Sequence, residues 1–203
     1  MDQPRKGVFD AITAEREGRR FTTPEVQEVD ALLDRLGVPR AGAAPIGAGA
    51  QRASSAAIEL IKRYEGLRLS AYKCPAGIWT IGYGATGAGI GPGLVWTQEQ
   101  ADRRLLEDVR AFEEAVRFLL AGKRATQGQF DAMVSFAYNC GSDIDNDHTP
   151  EGLGDSGLLR LHLAGDYAGA AAEFGKWVNG GGRKLEGLVR RRKDEAALYR
   201  AAA

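Results

Sequence analysis

Glu65 is the residue whose type and position best suit acid–base chemistry. It follows Ile58 and Ile61 at helical spacing, so it places a carboxyl group on the apolar face of a helix, where charged groups are uncommon. Gly66 ends that helix and leaves Glu65 at the negative end of the helix dipole. Burial and the dipole both favour the neutral carboxyl group, which can protonate a leaving group. On these residues alone, an exposed helix-end glutamate is the alternative interpretation.

The elements around Glu65 predict a small β-containing lobe, a long helix and a helical lobe, in that order. Residues 67–83 are β-prone and are broken by the turn sequence Cys74-Pro75-Ala76-Gly77, which predicts a hairpin. Thr97 begins a capping box, and the apolar stripe behind it runs to Leu120, a helix of roughly 35 Å. Further helices are predicted over residues 126–138, 156–164, 167–178 and 185–201. This order predicts an α+β fold with two lobes.

The chain divides into three parts by composition. Residues 1–39 carry two short helical patterns and predict a small helical segment, to which we assign no chemistry. Residues 40–53 are mostly Ala, Gly, Pro and Ser, which is typical of a flexible linker. Residues 54–203 are predicted to form one domain.

Charge and composition exclude several classes of function. The 203 residues include 27 basic and 27 acidic side chains, and this zero net charge argues against general nucleic-acid binding. No apolar run approaches the ~18–20 residues of a membrane-spanning helix, so we expect no membrane insertion. The polar first residues lack the apolar core of a signal peptide, and two cysteines suit a reducing cytoplasm.

Several motifs occur in order between residues 54 and 203. Glu65-Gly66 is followed by Thr80-Ile81-Gly82-Tyr83-Gly84, and later by the segment 129–139, Phe174-x-x-Trp177 and the segment 187–192. Together they resemble the phage-type lysozymes and endolysins of glycoside hydrolase family 24. The resemblance covers nearly all of residues 54–203 and none of residues 1–52.

The resemblance implies a lysozyme-like fold and a muramidase that needs no cofactor. Such an enzyme cuts the β-1,4 bond between N-acetylmuramic acid and N-acetylglucosamine in bacterial peptidoglycan and so lyses the host cell. Carried onto this sequence, Glu65 is the general acid and Thr80 helps to place the attacking water. Tyr138 and Asn139 lie where relatives line the sugar cleft, although either residue could equally be part of the core.

Cys74 occupies the position where many relatives carry an aspartate. Glycoside hydrolysis usually employs two carboxyl groups, and a thiol with a pKa near ~8.5 is mostly neutral at pH 7. One hypothesis is that Cys74 acts as a base or as a polar anchor for water. The alternative is a tolerated loss of the second group.

Two other functions remain open at this point. A lytic transglycosylase also depends on one glutamate, and a wall-binding protein could keep the fold while losing turnover through Cys74. For the muramidase we expect a monomer that collects in the host cytoplasm and reaches the wall through a separate, holin-type pore.

Three further features favour structural interpretations. Asp143, Asp145 and Asp147 alternate as in a calcium loop, but His148 and Gly154 replace the required Gly and Glu, so we expect no metal site. The basic run of residues 190–193 is interpreted as mostly facing solvent. His162 is expected to be a packed or surface residue and not a catalyst.

Overall fold

The computed structural model describes residues 51–74, 77–144 and 152–201. The predicted segment 1–39 and residues 40–50 of the predicted linker lie outside the described residues. Residues 51–53 belong to the compact unit that begins at Gln51. Arg52 Nη1 donates to Glu113 Oε2 at 2.6 Å, and the main-chain nitrogen of Ala53 donates to Glu113 Oε1 at 2.8 Å. Arg52 and Ala53, which fall in the predicted linker, therefore contact the packed domain.

Within these ranges the chain forms α-helices and two short antiparallel hairpins, which confirms the α+β prediction. The helices are α1 (Ser55–Glu65), α2 (Gln98–Leu120), α3 (Gln127–Cys140), α4 (Gly157–Leu163), α5 (Tyr167–Glu173) and α6 (Glu186–Arg200). The strands are β1 (Arg68–Lys73), β2 (Trp79–Gly82), β3 (Asn179–Gly180) and β4 (Arg183–Lys184). None of the helices in the described ranges is long and apolar enough to cross a membrane.

Helix α1 ends at Glu65, as the sequence predicts. The Ser54 side chain accepts a hydrogen bond from the main-chain nitrogen of Ala56 and so caps the first turn. At the other end Gly66 adopts a φ of 70°, in the region that favours glycine, and its N–H donates to the main-chain oxygen of Lys62. Ile61 is buried one turn before the end and fixes which face of α1 meets the core.

Strands β1 and β2 form the predicted hairpin. Tyr72 pairs with Thr80, and Lys73 pairs with Trp79. The turn is held by main-chain hydrogen bonds: the nitrogen of Cys74 donates to the oxygen of Ile78 at 2.9 Å, and Gly77 donates back to Cys74 at 2.8 Å. Cys74 therefore starts the turn, directly after β1.

Helix α2 is the long connection that the apolar stripe predicts. Both hydrogen bonds of the capping box between Thr97 and Gln100 are present. The helix has 23 residues, and Leu105, Val109 and Val116 are buried along one side. It packs against β2 and against α3, so it joins the hairpin to the helical body.

Helix α3 lies in the middle of the helical body. Every residue from Gly128 to Ala137 is buried, and α1, α2 and α6 pack around them. Gly128 permits a close approach, because a Cβ there would lie 2.4 Å from the main-chain oxygen of Leu198 in α6. Phe136 meets Phe174 and Trp177 edge to face, with ring centroids 5.6 and 5.1 Å apart.

The predicted helix over residues 167–178 is too long. Helix α5 ends at Glu173, and Phe174–Lys176 form a single 3-10 turn. Trp177 leaves helical geometry with φ −95° and ψ 55°, although its apolar side chain continues the helical spacing. The β3–β4 hairpin that follows turns through Gly181 and Gly182, both at positive φ, and no sequence pattern predicts it.

Candidate active site

The carboxyl group of Glu65 lies between α6 and the glycine-rich loop after β2. Its Oε1 atom accepts a hydrogen bond from Arg191 Nη1 at 2.6 Å, and its side chain is 23% exposed. On the other side is Gly84, where a Cβ would lie 3.8 Å from Glu65 Oε2. Glu65 is thus partly buried, as predicted, but it also has a cationic partner. The sequence patterns do not predict this ion pair.

Arg191 is held in place on every side of its guanidinium group. Its Nε donates to Glu195 Oε1 at 3.1 Å, and its Nη2 donates to the main-chain oxygen of Ser135 at 3.3 Å. The group also lies 5.6 Å from the centroid of the Tyr64 ring. With all of these partners fixed, Arg191 presents Nη1 to Glu65 in one direction only.

The adjacent Arg192 makes a parallel set of contacts. Its Nε lies 2.8 Å from Glu195 Oε2, and its Nη2 donates to Glu195 Oε1 at 3.0 Å and to Asn139 Oδ1 at 2.9 Å. Its Nη1 lies 2.8 Å from the Sγ atom of Cys140. Burial raises the pKa of the Cys140 thiol, and the charge of Arg192 opposes that shift. Cys140 packs against the edge of the core and makes this polar contact in addition.

The interpretation of the basic run as mostly solvent-facing is wrong for two of its four members. Arg190 and Lys193 are exposed, whereas Arg191 and Arg192 are buried against α3. Glu195 makes their burial possible, because it follows them by four and three residues and so lies on the same helix face. This Arg-Arg-x-x-Glu spacing is the sequence pattern that could have revealed the cluster.

Thr80 and Cys74 lie in the β1–β2 hairpin. Thr80 is buried, at 5% exposure, and its hydroxyl donates to the main-chain oxygen of Ile78 at 3.1 Å. Its one hydroxyl proton is therefore used, and its oxygen can still accept a hydrogen bond from a water molecule. Cys74 is half-buried and starts the hairpin turn, and Thr80 pairs with Tyr72 two residues before it.

Tyr138 connects the helical body to the loop beside Glu65. Its hydroxyl donates to the main-chain oxygen of Tyr83 at 3.2 Å, and its ring lies 5.2 Å from that of Phe112. Burial raises the pKa of Tyr138, and the negative charge of Glu65 raises it further. Tyr138 is therefore a neutral hydrogen-bonding group near Glu65.

Asn139 is exposed at the end of α3 and borders a cavity of about 390 Å³. Because Arg192 holds its Oδ1, the amide nitrogen of Asn139 is the end available for donation. The cavity walls combine amides, an aromatic ring and one cation, from Asn139, Cys140, Lys176, Trp177, Asn179 and Leu188. Such a mixture of apolar faces and amides suits sugar rings and N-acetyl groups.

The described residues contain no group of three or more His, Cys, Asp or Glu side chains placed to hold a metal ion. Asp145 and Asp147 of the acidic segment lie outside the described residues. Asp143 is within them, and its Oδ2 accepts from the main-chain nitrogen of Asp155 at 3.3 Å.

The structure therefore brings the predicted residues together in two groups. Glu65, Tyr138 and Asn139 are linked through the arginines of α6 and through α3, and Thr80 and Cys74 share the hairpin. The loop of Tyr83 and Gly84 directly follows β2 and connects the groups. A helix-end carboxyl group at the junction of a hairpin and a helical body is the arrangement of a lysozyme-like glycoside hydrolase.

Comparison with known proteins identifies the family within that class. The family model described as phage lysozyme matches residues 62–195. The chain belongs to the phage lysozyme family, and it is a glycoside hydrolase. The family and the fold predicted from the sequence motifs are both confirmed.

Similar proteins extend this result. An endolysin of Acyrthosiphon pisum secondary endosymbiont phage 1 is 42% identical over 153 residues, which are 73% of this chain and 98% of the relative. An endolysin of Bacillus phage B103 is 43% identical over 148 residues, and the match spans 72% of this chain but only 53% of that longer relative. Among solved structures, the muramidase domain of SpmX from Asticaccaulis excentricus superposes with a TM-score of 0.66 at 36% identity, covering 75% of this chain and 99% of that one.

Proposed function

We propose that this chain is a muramidase that hydrolyses the β-1,4 bond between N-acetylmuramic acid and N-acetylglucosamine in peptidoglycan, and that it thereby lyses bacterial cells. The family membership and the endolysin relatives support this function. The observation that carries it is the placement of Glu65: a partly exposed carboxyl group at a helix end, with one oxygen ion-paired and the other facing Gly84.

In the proposed reaction Glu65 gives its proton to the glycosidic oxygen as the bond from that oxygen to the sugar C1 breaks. A bound glycan strand would cover the exposed part of Glu65 and hold the glycosidic oxygen next to its carboxyl group. The ion pair with Arg191 favours the carboxylate that remains after proton donation. Glycan binding thus places the glycosidic oxygen at Glu65, and the ion pair with Arg191 stabilises the carboxylate that proton donation leaves.

A water molecule then attacks the positively charged sugar C1 and forms the new C1–O bond. The proton that this water loses passes to solvent, and Glu65 takes up a proton again before the next cycle. Thr80 is proposed to accept a hydrogen bond from this water, because the hydroxyl proton of Thr80 is already donated to Ile78. Cys74, at the start of the hairpin turn, is proposed as the second polar group for the same water. Tyr138 and Asn139 are proposed to contact the sugar.

The setting of the enzyme is also a proposal. We infer that it acts as a monomer on the wall and reaches it from the cytoplasm through a separate pore. The endolysin relationship supports this setting. Expression in a host with and without a pore-forming protein tests it, since lysis should require the pore protein.

The decisive experiment digests purified peptidoglycan and analyses the products by mass spectrometry. Hydrolysis gives reducing sugar ends, whereas 1,6-anhydro ends would show a transglycosylase. Glu65→Gln should lose about 100- to 10,000-fold in rate, the usual contribution of a general acid. Glu59→Gln is the matched control, because Glu59 lies on the same helix with its side chain 68% exposed. Equal clearance of cells by Glu65→Gln and the parent would contradict the proposal.

A further inference from the structure

Glu195 is a fully buried carboxylate that the proposed reaction does not use. It lies in α6 with 0% of its surface exposed. A carboxylate is found in such a place only when other groups satisfy it. Its Oε1 accepts from Ser135 Oγ at 2.8 Å, from Arg191 Nε at 3.1 Å and from Arg192 Nη2 at 3.0 Å. Its Oε2 lies 2.8 Å from Arg192 Nε.

Each of the two arginines reaches beyond Glu195 to a different residue of the site. Arg191 Nη1 lies 2.6 Å from Glu65 Oε1, at the proposed proton donor. Arg192 Nη2 lies 2.9 Å from Asn139 Oδ1, at the proposed sugar contact. The buried carboxylate of Glu195 therefore contacts both of the arginines that reach Glu65 and Asn139.

We propose that Glu195 is a positioning residue for the active site. It fixes the direction of Arg191 toward Glu65 and of Arg192 toward Asn139, and it neutralises part of the charge of the two guanidinium groups. The inference rests on the proposed role of Glu65. Glu195 is fully buried, so it acts only through the arginines.

The charged groups around Glu65 and Glu195 determine how the activity should depend on pH. Glu65 faces the guanidinium of Arg191 from α6 and the neutral hydroxyl of Tyr138 from α3. Glu195 faces Arg191 and Arg192 from its own helix, and Ser135 and the thiol of Cys140 from α3.

The Glu195 carboxylate lies within hydrogen-bond or ion-pair distance of both guanidinium groups and partly balances their charge. With a neutral amide at this position, an excess positive charge remains and favours the Glu65 carboxylate. The proton donor would then lose its proton at a lower pH.

The test is the pH profile of kcat and KM for Glu195→Gln on soluble peptidoglycan fragments. We expect the pH at which activity falls on the alkaline side to move down by about one unit. We expect kcat at the pH optimum to fall about 10- to 100-fold, because Glu65 is less well placed. We expect KM to rise, because Arg192 no longer holds Asn139 in position to contact the sugar. Glu113→Gln is the matched control, since Glu113 is also buried and paired with an arginine, Arg52, but lies near the opposite end of α1 from Glu65.

The outcomes separate this inference from the proposed function. An unshifted profile for Glu195→Gln, with a loss of activity no larger than that of Glu113→Gln, would overturn the positioning role. Activity in Glu65→Gln would instead overturn the proposed function itself.

If Glu195→Gln does not fold, Glu195→Asp keeps the charge but shortens the reach of the carboxylate. For Glu195→Asp, the pH at which activity falls on the alkaline side should equal that of the parent, while kcat falls. A parent-like kcat in Glu195→Asp would contradict the inference.

Discussion

The hydroxyl of Tyr138 and the main-chain oxygen of Tyr83 lie 3.2 Å apart and form a hydrogen bond. The bond joins α3, in the middle of the helical body, to the loop that directly follows the hairpin. Gly84, the next residue in that loop, faces Glu65. This hydrogen bond is therefore one of the contacts that fix the loop relative to the carboxyl group.

Tyr138→Phe should test this link. The variant keeps the ring contact with Phe112 but loses the hydrogen bond, so we expect a loss of about 1 kcal/mol in the free energy of unfolding. We also expect a higher KM, because the loop beside Glu65 is less well fixed. Urea unfolding and initial rates measure the two effects. Tyr167→Phe is the control, since Tyr167 is exposed on α5, and equal behaviour of both variants would contradict the proposed link.

Gly84→Ala should disturb the site through the backbone. Gly84 has a φ of 94°, where a residue with a Cβ is strained, and that Cβ would lie 3.8 Å from Glu65 Oε2. We expect a loss of about 1–2 kcal/mol in stability together with reduced activity. Gly91→Ala is the matched control in the same loop region: Gly91 does not have a positive φ, and its Cβ would meet no atom within 4 Å. If the two variants are equally stable and active, the conformational requirement at Gly84 is refuted.

Much of the fold follows from short sequence patterns because its causes are local. The helix end at Glu65 depends on Gly66, and the start of α2 depends on Thr97 and Gln100, all within a few residues. The end of α5 was missed because Trp177 continues the apolar spacing although its backbone leaves the helix. The strands of the β3–β4 hairpin have two residues each, too few to show an alternating pattern.

The site was predictable only in part, because sequence patterns show local causes and do not show contacts between distant parts of the chain. Residue types and motifs pointed to Glu65, Thr80 and Asn139. The partner of Glu65 is Arg191, 126 positions further along the chain, and the helical spacing of Arg191 and Glu195 does not show which group the arginine meets. That contact depends on how α1, α3 and α6 pack together.

Cys74 can be tested by exchange because its place in the turn is fixed by the backbone. The main-chain nitrogen and oxygen of Cys74 take part in the turn, and an aspartate can make the same two hydrogen bonds, so we expect Cys74→Asp to fold and remain active. Cys74→Ala should lose about 100-fold if the side chain helps to activate water. Turbidity loss of permeabilised cells, compared with Cys74→Ser, measures the effect. Parent activity in Cys74→Ala, or after alkylation with iodoacetamide, would show that the thiol has no catalytic role.

His162 should make the stability of the protein depend on pH just below neutrality. It is buried, its Nδ1 lies 2.6 Å from the hydroxyl of Tyr199, and burial lowers its pKa from the ordinary value of 6.5. The unfolded chain therefore binds a proton at this ring more readily than the folded chain does. Stability from this residue is present above about pH 6.5 and is lost as the pH falls below that value, by up to about 1.4 kcal/mol per pH unit.

His162→Gln should remove this dependence, since its amide oxygen can accept a hydrogen bond from Tyr199 and does not titrate. Urea unfolding at pH 5.5, 6.5 and 7.5 gives the free energy of unfolding for the parent and the variant. We expect the parent to lose more stability than the variant between pH 6.5 and 5.5, because only the parent must hold an unprotonated imidazole in its core. The same loss in both proteins would assign the pH dependence to the carboxyl groups instead of to His162.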